Sequence, residues 1–271
     1  MKLNKLLVLG SVFALAACGA AKPVVLDEEK AIERAEQIAA SQETIDANEY
    51  NVQLVLYTEM GGESETMTTN IVLDCEEQYF YLGQAYTVGE EDMGSLGQWV
   101  YVQDDTLYVV TSTEEGTNEI LGSFKTSDLG ALGLSINDFE GVVNYLCGVE
   151  DLLGDIGVDL YGSMLLGAEA ISNLFASTSP EMMEILGFTS LEFTASSKGP
   201  GHLILDTAAT ADFSEEGYTS TMSIHEAIVW ENNLVVDYVN DMTLVEGEDT
   251  SVFNEHYSVS YKVTPEYPVV G

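Results

Sequence analysis

From Leu191 to Val263 tight-turn signals cut the chain into long alternating segments, and this pattern constrains the fold more than any other. Leu191 to Ala195 leads to a turn at Lys198-Gly199-Pro200-Gly201, and His202 to Phe213 to one at Glu215-Glu216-Gly217. Tyr218 to Trp230 turns at Asn232-Asn233, Leu234 to Val245 turns at Gly247-Glu248-Asp249, and Phe253 to Val263 ends the series. Most of these segments run about 10–13 residues, against about five or six for an ordinary strand. Tight turns make neighbours antiparallel. Twist accumulates along long strands, so the product is a strongly curved sheet.

The same period of two governs the first half. Val52, Leu54 and Leu56 alternate with Asn51 and Gln53, Gly61-Gly62 turns, and Met67, Thr69, Ile71, Leu73 and Cys75 form the next line. Glu76-Glu77 turns into Tyr79-Phe80-Tyr81-Leu82. Gly83 to Gly97, with four glycines among acids, reads as a loop. Trp99 to Val102, a turn at Asp104-Asp105 and Leu107 to Val110 read as a hairpin.

Between the two strand regions the period becomes helical. Ser135 is placed to cap a helix carrying Ile136, Phe139, Val142, Val143, Leu146 and Leu153. Leu160, Met164, Ala168, Ile171, Leu174 and Phe175 form a second stripe, interrupted by Asp159, Glu169 and Asn173, which excludes a transmembrane segment. Ser179-Pro180 opens a third, short helix that Gly187 stops. Upstream, Asp27 can cap a helix whose stripe of Ala31, Ile32, Ala35, Ile38 and Ala39 is narrow and small, so it must pack closely on something else.

The N-terminus has a different character. Lys2 and Lys5 precede an apolar stretch, Leu6 to Leu15, and the sequence continues Leu15-Ala16-Ala17-Cys18. A basic start, an apolar middle too short to span a bilayer and small residues before a cut form a secretory signal. The cysteine after Leu-Ala-Ala resembles the lipobox of bacterial lipoproteins. That resemblance implies cleavage after residue 17, lipid on the Cys18 sulfur, and an extracytoplasmic protein anchored to the cell membrane. Residues 18–26 then read as a lipidated tether and 27–271 as a single domain, with strands at about 50–112, helices at about 135–187 and strands at about 190–264.

The order of lipobox, tether, helix, strand meander, helical insert and long strand meander resembles the lipoprotein-carrier half-barrels of the LolA/LolB type and the mycobacterial LppX/LprG lipoproteins. The residues that carry it are the lipobox, the opening Tyr50-Asn51-Val52, the Trp99-Val100-Tyr101-Val102 hairpin and the closing Tyr257 to Pro265. The resemblance implies an α+β fold: a curved antiparallel β half-barrel wrapped around a helical insert, with an N-terminal helix. It also implies an apolar cavity for acyl chains and no catalytic residues.

The residues alone lead the same way. A curved sheet has a concave face, helices can cover it, and incomplete cover leaves an apolar site. Leu54, Leu56, Ile71, Leu73, Trp99, Tyr101, Phe139, Leu146 and Met164 are the candidate ligand-binding residues. The alternative is a filled core in an acidic envelope protein that binds or supports other proteins.

With 46 acidic residues against 8 basic and a net charge of −38, the chain lacks the cationic patches that nucleic acid requires. An anionic membrane surface would repel it within about a Debye length, on the order of 8 Å. The dispersed acidity fits solubility or salt adaptation; a cationic partner or a divalent ion is the other reading. His202, His225 and His256 show no metal-ligand spacing, and Glu90-Glu91-Asp92 and Glu246-Gly247-Glu248-Asp249 lack the alternation of a calcium loop. There is no Gly-x-Ser-x-Gly elbow and no phosphate loop, so the expectation is a monomeric, non-enzymatic protein without cofactor or metal. Cys75 and Cys147 can pair as an exported disulfide or sit as two small buried apolar residues.

Overall fold

The computed structural model describes residues 22–42, 49–113, 117–147, 166–215 and 218–270. The strands are β1 (Val24–Leu26), β2 (Glu49–Met60), β3 (Glu63–Asp74), β4 (Tyr79–Val88), β5 (Glu91–Gln103), β6 (Thr106–Ser112), β7 (Asn118–Lys125), β8 (Ser190–Ser197), β9 (Leu203–Glu215), β10 (Tyr218–Glu231), β11 (Leu234–Glu246) and β12 (Asp249–Ser260). The helices are α1 (Glu28–Gln42), α2 (Phe139–Cys147), α3 (Ala168–Ser177) and α4 (Pro180–Leu186), with a 3-10 segment at Thr126–Leu132.

All twelve strands form one open sheet in the order β1-β8-β9-β10-β11-β12-β2-β3-β4-β5-β6-β7. Every named pairing is antiparallel. The junction of β12 with β2 joins the two meanders. The connection from β7 to β8 must then return from one edge of the sheet almost to the other. Helices α2 and α3 of that connection join the core on the inner face, so the molecule is an α+β half-barrel, an open curved sheet around helices.

The hairpin turns follow backbone chemistry. Gly61 and Gly62 have φ of 62° and 84°, Asp104 and Asp105 51° and 57°, and Asn232 and Asn233 54° and 69°. Two consecutive positive φ values give the primed turn whose twist matches the flanking strands, and Asp and Asn tolerate it best after glycine.

The core lies at one end of the inner face. Tyr50 pairs with Leu73, Leu73 with Phe80 and Phe80 with Val100, and all four are at most 1% exposed. The same core includes Ala31, Ala35 and Ile38 from α1, Phe139, Val142 and Val143 from α2, and Ile171 from α3, with α1 packed on α3 and against β1, β8 and β9. Both alanines are fully buried, so α1 packs closely on its neighbours, as the small stripe predicts. Each large side chain removed from water here contributes roughly 1.5–3 kcal/mol.

Several expectations change. Gly83 to Gly97 is not a loop: it forms the ends of β4 and β5, with Gly83 opposite Gly97 and the turn at Gly89. Val24–Leu26, expected in the tether, is an edge strand on β8. Strand β7 follows the aromatic hairpin, where no element was expected. The Ser135 helix starts later, at Phe139, where Asp138 Oδ1 accepts from Gly141 N at 3.1 Å. Helix α4 is as read, with the Ser179 hydroxyl accepting from Met182 N, Pro180 in the first turn and Gly187 left-handed at its end. Cys18, Leu153, Leu160 and Met164 lie outside the described residues. Among the described residues no helix is long and apolar enough to cross a membrane.

Candidate functional site

Directly opposed residues of antiparallel strands share a face, so the register defines rows across the inner surface. One row beyond the core runs Ile228–Tyr238–Tyr257–Leu54–Thr69. The next runs Glu226–Asn240–Glu255–Leu56–Met67–Tyr86. A third runs Ile224–Met242–Phe253–Thr58. Exposure rises along this direction: Tyr238 is 7% exposed but Met242 38%, and Leu73 is 1% exposed but Tyr86 38%. Among the described residues the inner face is thus a filled core at one end and a more exposed groove at the other, where Leu56, Met67, Met242 and Phe253 mix with Glu226, Asn240 and Glu255.

The expected ligand-binding residues divide accordingly. Leu54 and Leu56 are half-buried at the mouth of the groove. Leu73, Ile71 and Phe139 belong to the packed core, and Leu146 packs against it. Trp99 and Tyr101 point to the opposite face. Their neighbour Val100 lies in the inner core row, so the alternation of the strand sends both rings outward. There Tyr79, Tyr101 and Val110 form a second small core with Tyr81, Trp99 and Tyr108.

The C-terminal tail covers that outer cluster. Tyr267 meets Tyr79 and Tyr101 edge-on, with ring centroids 5.4 and 5.2 Å apart. The Tyr79 hydroxyl donates to the Glu266 carbonyl at 2.8 Å, and Asn118 Nδ2 donates to the Val269 carbonyl at 3.0 Å. Tyr79 and Tyr101 therefore anchor the strap, while Trp99 packs on Tyr81 in the same outer cluster, away from the inner face.

The groove carries polar groups that composition alone does not reveal. Tyr257 donates to Glu255 Oε1 at 2.6 Å and Tyr238 to Glu226 Oε1 at 3.4 Å. Burial raises the Glu226 pKa above the ordinary carboxylate value, and the Tyr238 hydroxyl only partly offsets it. The polar lining is thus rich in acceptors, and a donor-bearing head group suits it. A parity count would have found Glu226 on the same face as Ile228 and Ile224.

His225, next to Glu226, faces outward as strand alternation predicts. It lies 3.5 Å from Asp206 and 3.7 Å from Asp241, while His256 Nε2 lies 2.7 Å from Asp237. That hydrogen bond holds the His256 pKa above its ordinary value. A separate cleft of about 490 Å³ is lined by Glu49, Asp74, Glu76, Glu77 and Val263 to Pro265. Asp74 is 5% exposed and accepts from Glu76 N and Glu77 N at 3.1 and 2.9 Å, which explains its burial without a cation. Among the described residues no group of three or more His, Cys, Asp or Glu is arranged to hold a metal ion.

Cys75 and Cys147 are free thiols, in line with small apolar residues rather than a disulfide. Both lie against the inner core, and burial pushes each thiol up to about 11.

No protein-family profile matches the chain, and no curated protein matches it. Three solved structures are similar in layout at low scores. A DUF1329 family protein from Desulfovibrio piger is 12% identical, covering 88% of this chain and 94% of its own, with a TM-score of 0.22. A beta-barrel-like DUF1849 protein from Brucella abortus is 8% identical over 78% and 98%, TM-score 0.20. The S-type phycobiliprotein lyase of Guillardia theta is 6% identical over 85% and 98%, TM-score 0.19. The functional reading therefore rests on this chain's own residues.

Proposed function

We propose that this chain is an extracytoplasmic, lipid-anchored, non-enzymatic protein that holds an apolar, acyl-bearing ligand in the open half of its inner face. The observation that carries the reading is the rise in exposure along the inner face of the sheet, from Tyr238 at 7% to Met242 at 38%. A concave sheet face that keeps apolar residues such as Leu56, Met67 and Phe253 where its exposure rises is a surface suited to an acyl chain. Glu226 and Glu255 refine the ligand: an anionic head group is repelled, whereas a neutral or cationic hydrogen-bond donor is held. The lipobox supports membrane placement, and lipid on Cys18 holds an acidic domain at a surface whose charge repels it.

Native mass spectrometry of residues 19–271, followed by organic extraction, tests the ligand. The expected result is a bound species with an acyl chain and a neutral or cationic head. A protein that stays ligand-free after incubation with mixed lipid vesicles overturns the reading.

A further inference from the structure

The strand register gives the half-barrel two unlike ends. The packed end holds the turns at residues 75–78, Asp104-Asp105, residues 198–202 and Asn232-Asn233; the open end holds those at Gly61-Gly62, Gly89-Glu90 and Gly247-Glu248. Charge divides between them. Beyond Lys2 and Lys5 the basic residues are Lys22, Lys30, Arg34, Lys125, Lys198 and Lys262, and none lies in a described turn of the open end. Those turns are acidic and exposed, as at Glu90-Glu91-Asp92 and Glu246-Gly247-Glu248-Asp249.

Three of the cations gather where the chain enters the fold. Val24 of β1 lies opposite Ser197, the residue before Lys198, so the chain enters at the packed end with Lys22 two residues upstream. Asn233 N donates to the Gly201 carbonyl at 2.9 Å, which ties the β8–β9 and β10–β11 turns into one ledge. The Tyr261 hydroxyl donates to the Val235 carbonyl at 3.1 Å and holds the chain at Lys262 to the start of β11. Neither turn contains an acid: they read Lys198-Gly199-Pro200-Gly201 and Asn232-Asn233. Glu231, which precedes the second, lies 3.5 Å from the Lys198 ammonium. Lys22 and Lys262 are exposed. Acids return across the same end, at Asp74, Glu76, Glu77, Asp104 and Asp105, so the cationic surface is a corner and not a whole end.

An acidic domain held at an anionic surface turns its least acidic side inward. Exposed charge is felt within about a Debye length, on the order of 8 Å, and lysines that close are drawn to anionic lipid. The tether favours the same corner. Residues 18–23 reach at most about 20 Å when extended, whereas β11, 13 residues long, sets the two ends about 40 Å apart. The corner therefore stays near the anchor whichever way the domain turns, and charge selects the turn.

We propose that the corner built from the β8–β9 and β10–β11 turns, with Lys22, Lys198 and Lys262, rests on an anionic lipid surface, and that the open end of the groove points away from it. The proposal rests on the lipid anchor read above and adds a direction to it. The groove exchanges its ligand on the side away from the anchoring leaflet.

The test places a fluorescein donor at either end of the mature chain, residues 19–271, through Pro200→Cys or Glu248→Cys. Labelling at neutral pH spares Cys75 and Cys147, whose thiols burial pushes up to about 11. An N-terminal histidine tag holds the protein to vesicles of phosphatidylcholine and phosphatidylglycerol that carry a nickel-chelating lipid and a rhodamine-labelled lipid. Energy transfer to the surface is expected to be several-fold stronger from position 200 than from position 248. Combined Lys22→Gln, Lys198→Gln and Lys262→Gln changes, checked by unchanged circular dichroism, are expected to abolish most of that difference. Equal transfer from the two positions, stronger transfer from 248, or a difference that survives the triple change overturns the proposal. The tag supplies the anchor and no groove ligand is needed, so such a failure leaves the lipobox and the ligand to their own tests.

Discussion

The Tyr81 and Trp99 rings face each other across β4 and β5 with centroids 4.9 Å apart, Tyr81 lying over Gly83, two residues after it, and Trp99 over Gly97, two residues before it. A Cβ on Gly83 would sit 2.1 Å from the Tyr81 hydroxyl, and one on Gly97 2.6 Å from the Trp99 ring. Glycine here opens floor space for an aromatic ring and does not mark a loop. Gly97→Ala is expected to displace Trp99 and destabilise the protein by about 1 kcal/mol, the worth of an aromatic pair. In a Trp99→Ala background the same change is expected to be neutral or stabilising, because the bare strand gains from alanine. Urea unfolding of the four-member cycle measures both.

The C-terminal strap is a stability element. Tyr267→Ala removes two edge-on ring contacts, and the expected loss is about 1–2 kcal/mol. Thermal unfolding checks the loss. A second readout is faster hydrogen exchange in β4 and β5, which the strap covers.

Cys75 and Cys147, each with a pKa of about 11, hold little thiolate at pH 8. Two units above an ordinary thiol means alkylation slower by about 100-fold. Iodoacetamide labelling followed by mass spectrometry is expected to modify both cysteines only after denaturation. Intact mass without reductant is expected to show two free thiols.

His256 sets a pH dependence. Its folded pKa is raised, chiefly by the hydrogen bond to Asp237, so the folded state holds the proton more tightly than the unfolded chain. That contribution is fully present below about pH 6.5 and is lost as pH rises through the raised value. Asp237→Asn is expected to flatten this part of the stability profile. Urea midpoints at a series of pH values, wild type against variant, measure it.

Cys18→Ser is expected to abolish lipid attachment and leave an uncleaved precursor or a released protein. Membrane fractionation and metabolic labelling with a fatty acid report the outcome. A cleaved variant that still sediments with membranes argues against the lipobox.

The strand series was legible because turns and alternation agree. Asp104-Asp105 and Asn232-Asn233 each adopt the paired positive φ that their residue types favour. Three things were not legible, for physical reasons. Gly83 to Gly97 looks like a loop because glycine count and glycine role differ; the role appears only once Tyr81 and Trp99 are seen across from each other. Trp99 and Tyr101 look like core residues because their size suits burial. Which parity of β5 faces inward depends on Val100 meeting Phe80, and a single strand does not contain that fact. Strand β7, with Leu121 at 61% exposure, is an edge whose pattern is weak because little of it is buried. In the candidate site, alternation put Leu54 and Leu56 on one face of β2, while Glu226 and Glu255 were hidden among many acids until the register set them opposite Asn240.

Strand β1 has a mechanical consequence. It holds to β8 through only Val24–Ser197, Val25–Ser196 and Leu26–Ala195, and α1 begins two residues later. A load drawn from the N-terminus away from that edge opens the pairs one after another, as a zipper opens, instead of shearing them together. Peeling β1 lengthens the leash by about 10 Å before the pull reaches α1 and the packed core. In a chain anchored through Cys18 as proposed, this edge is a compliant link that yields first and re-forms when the tension falls.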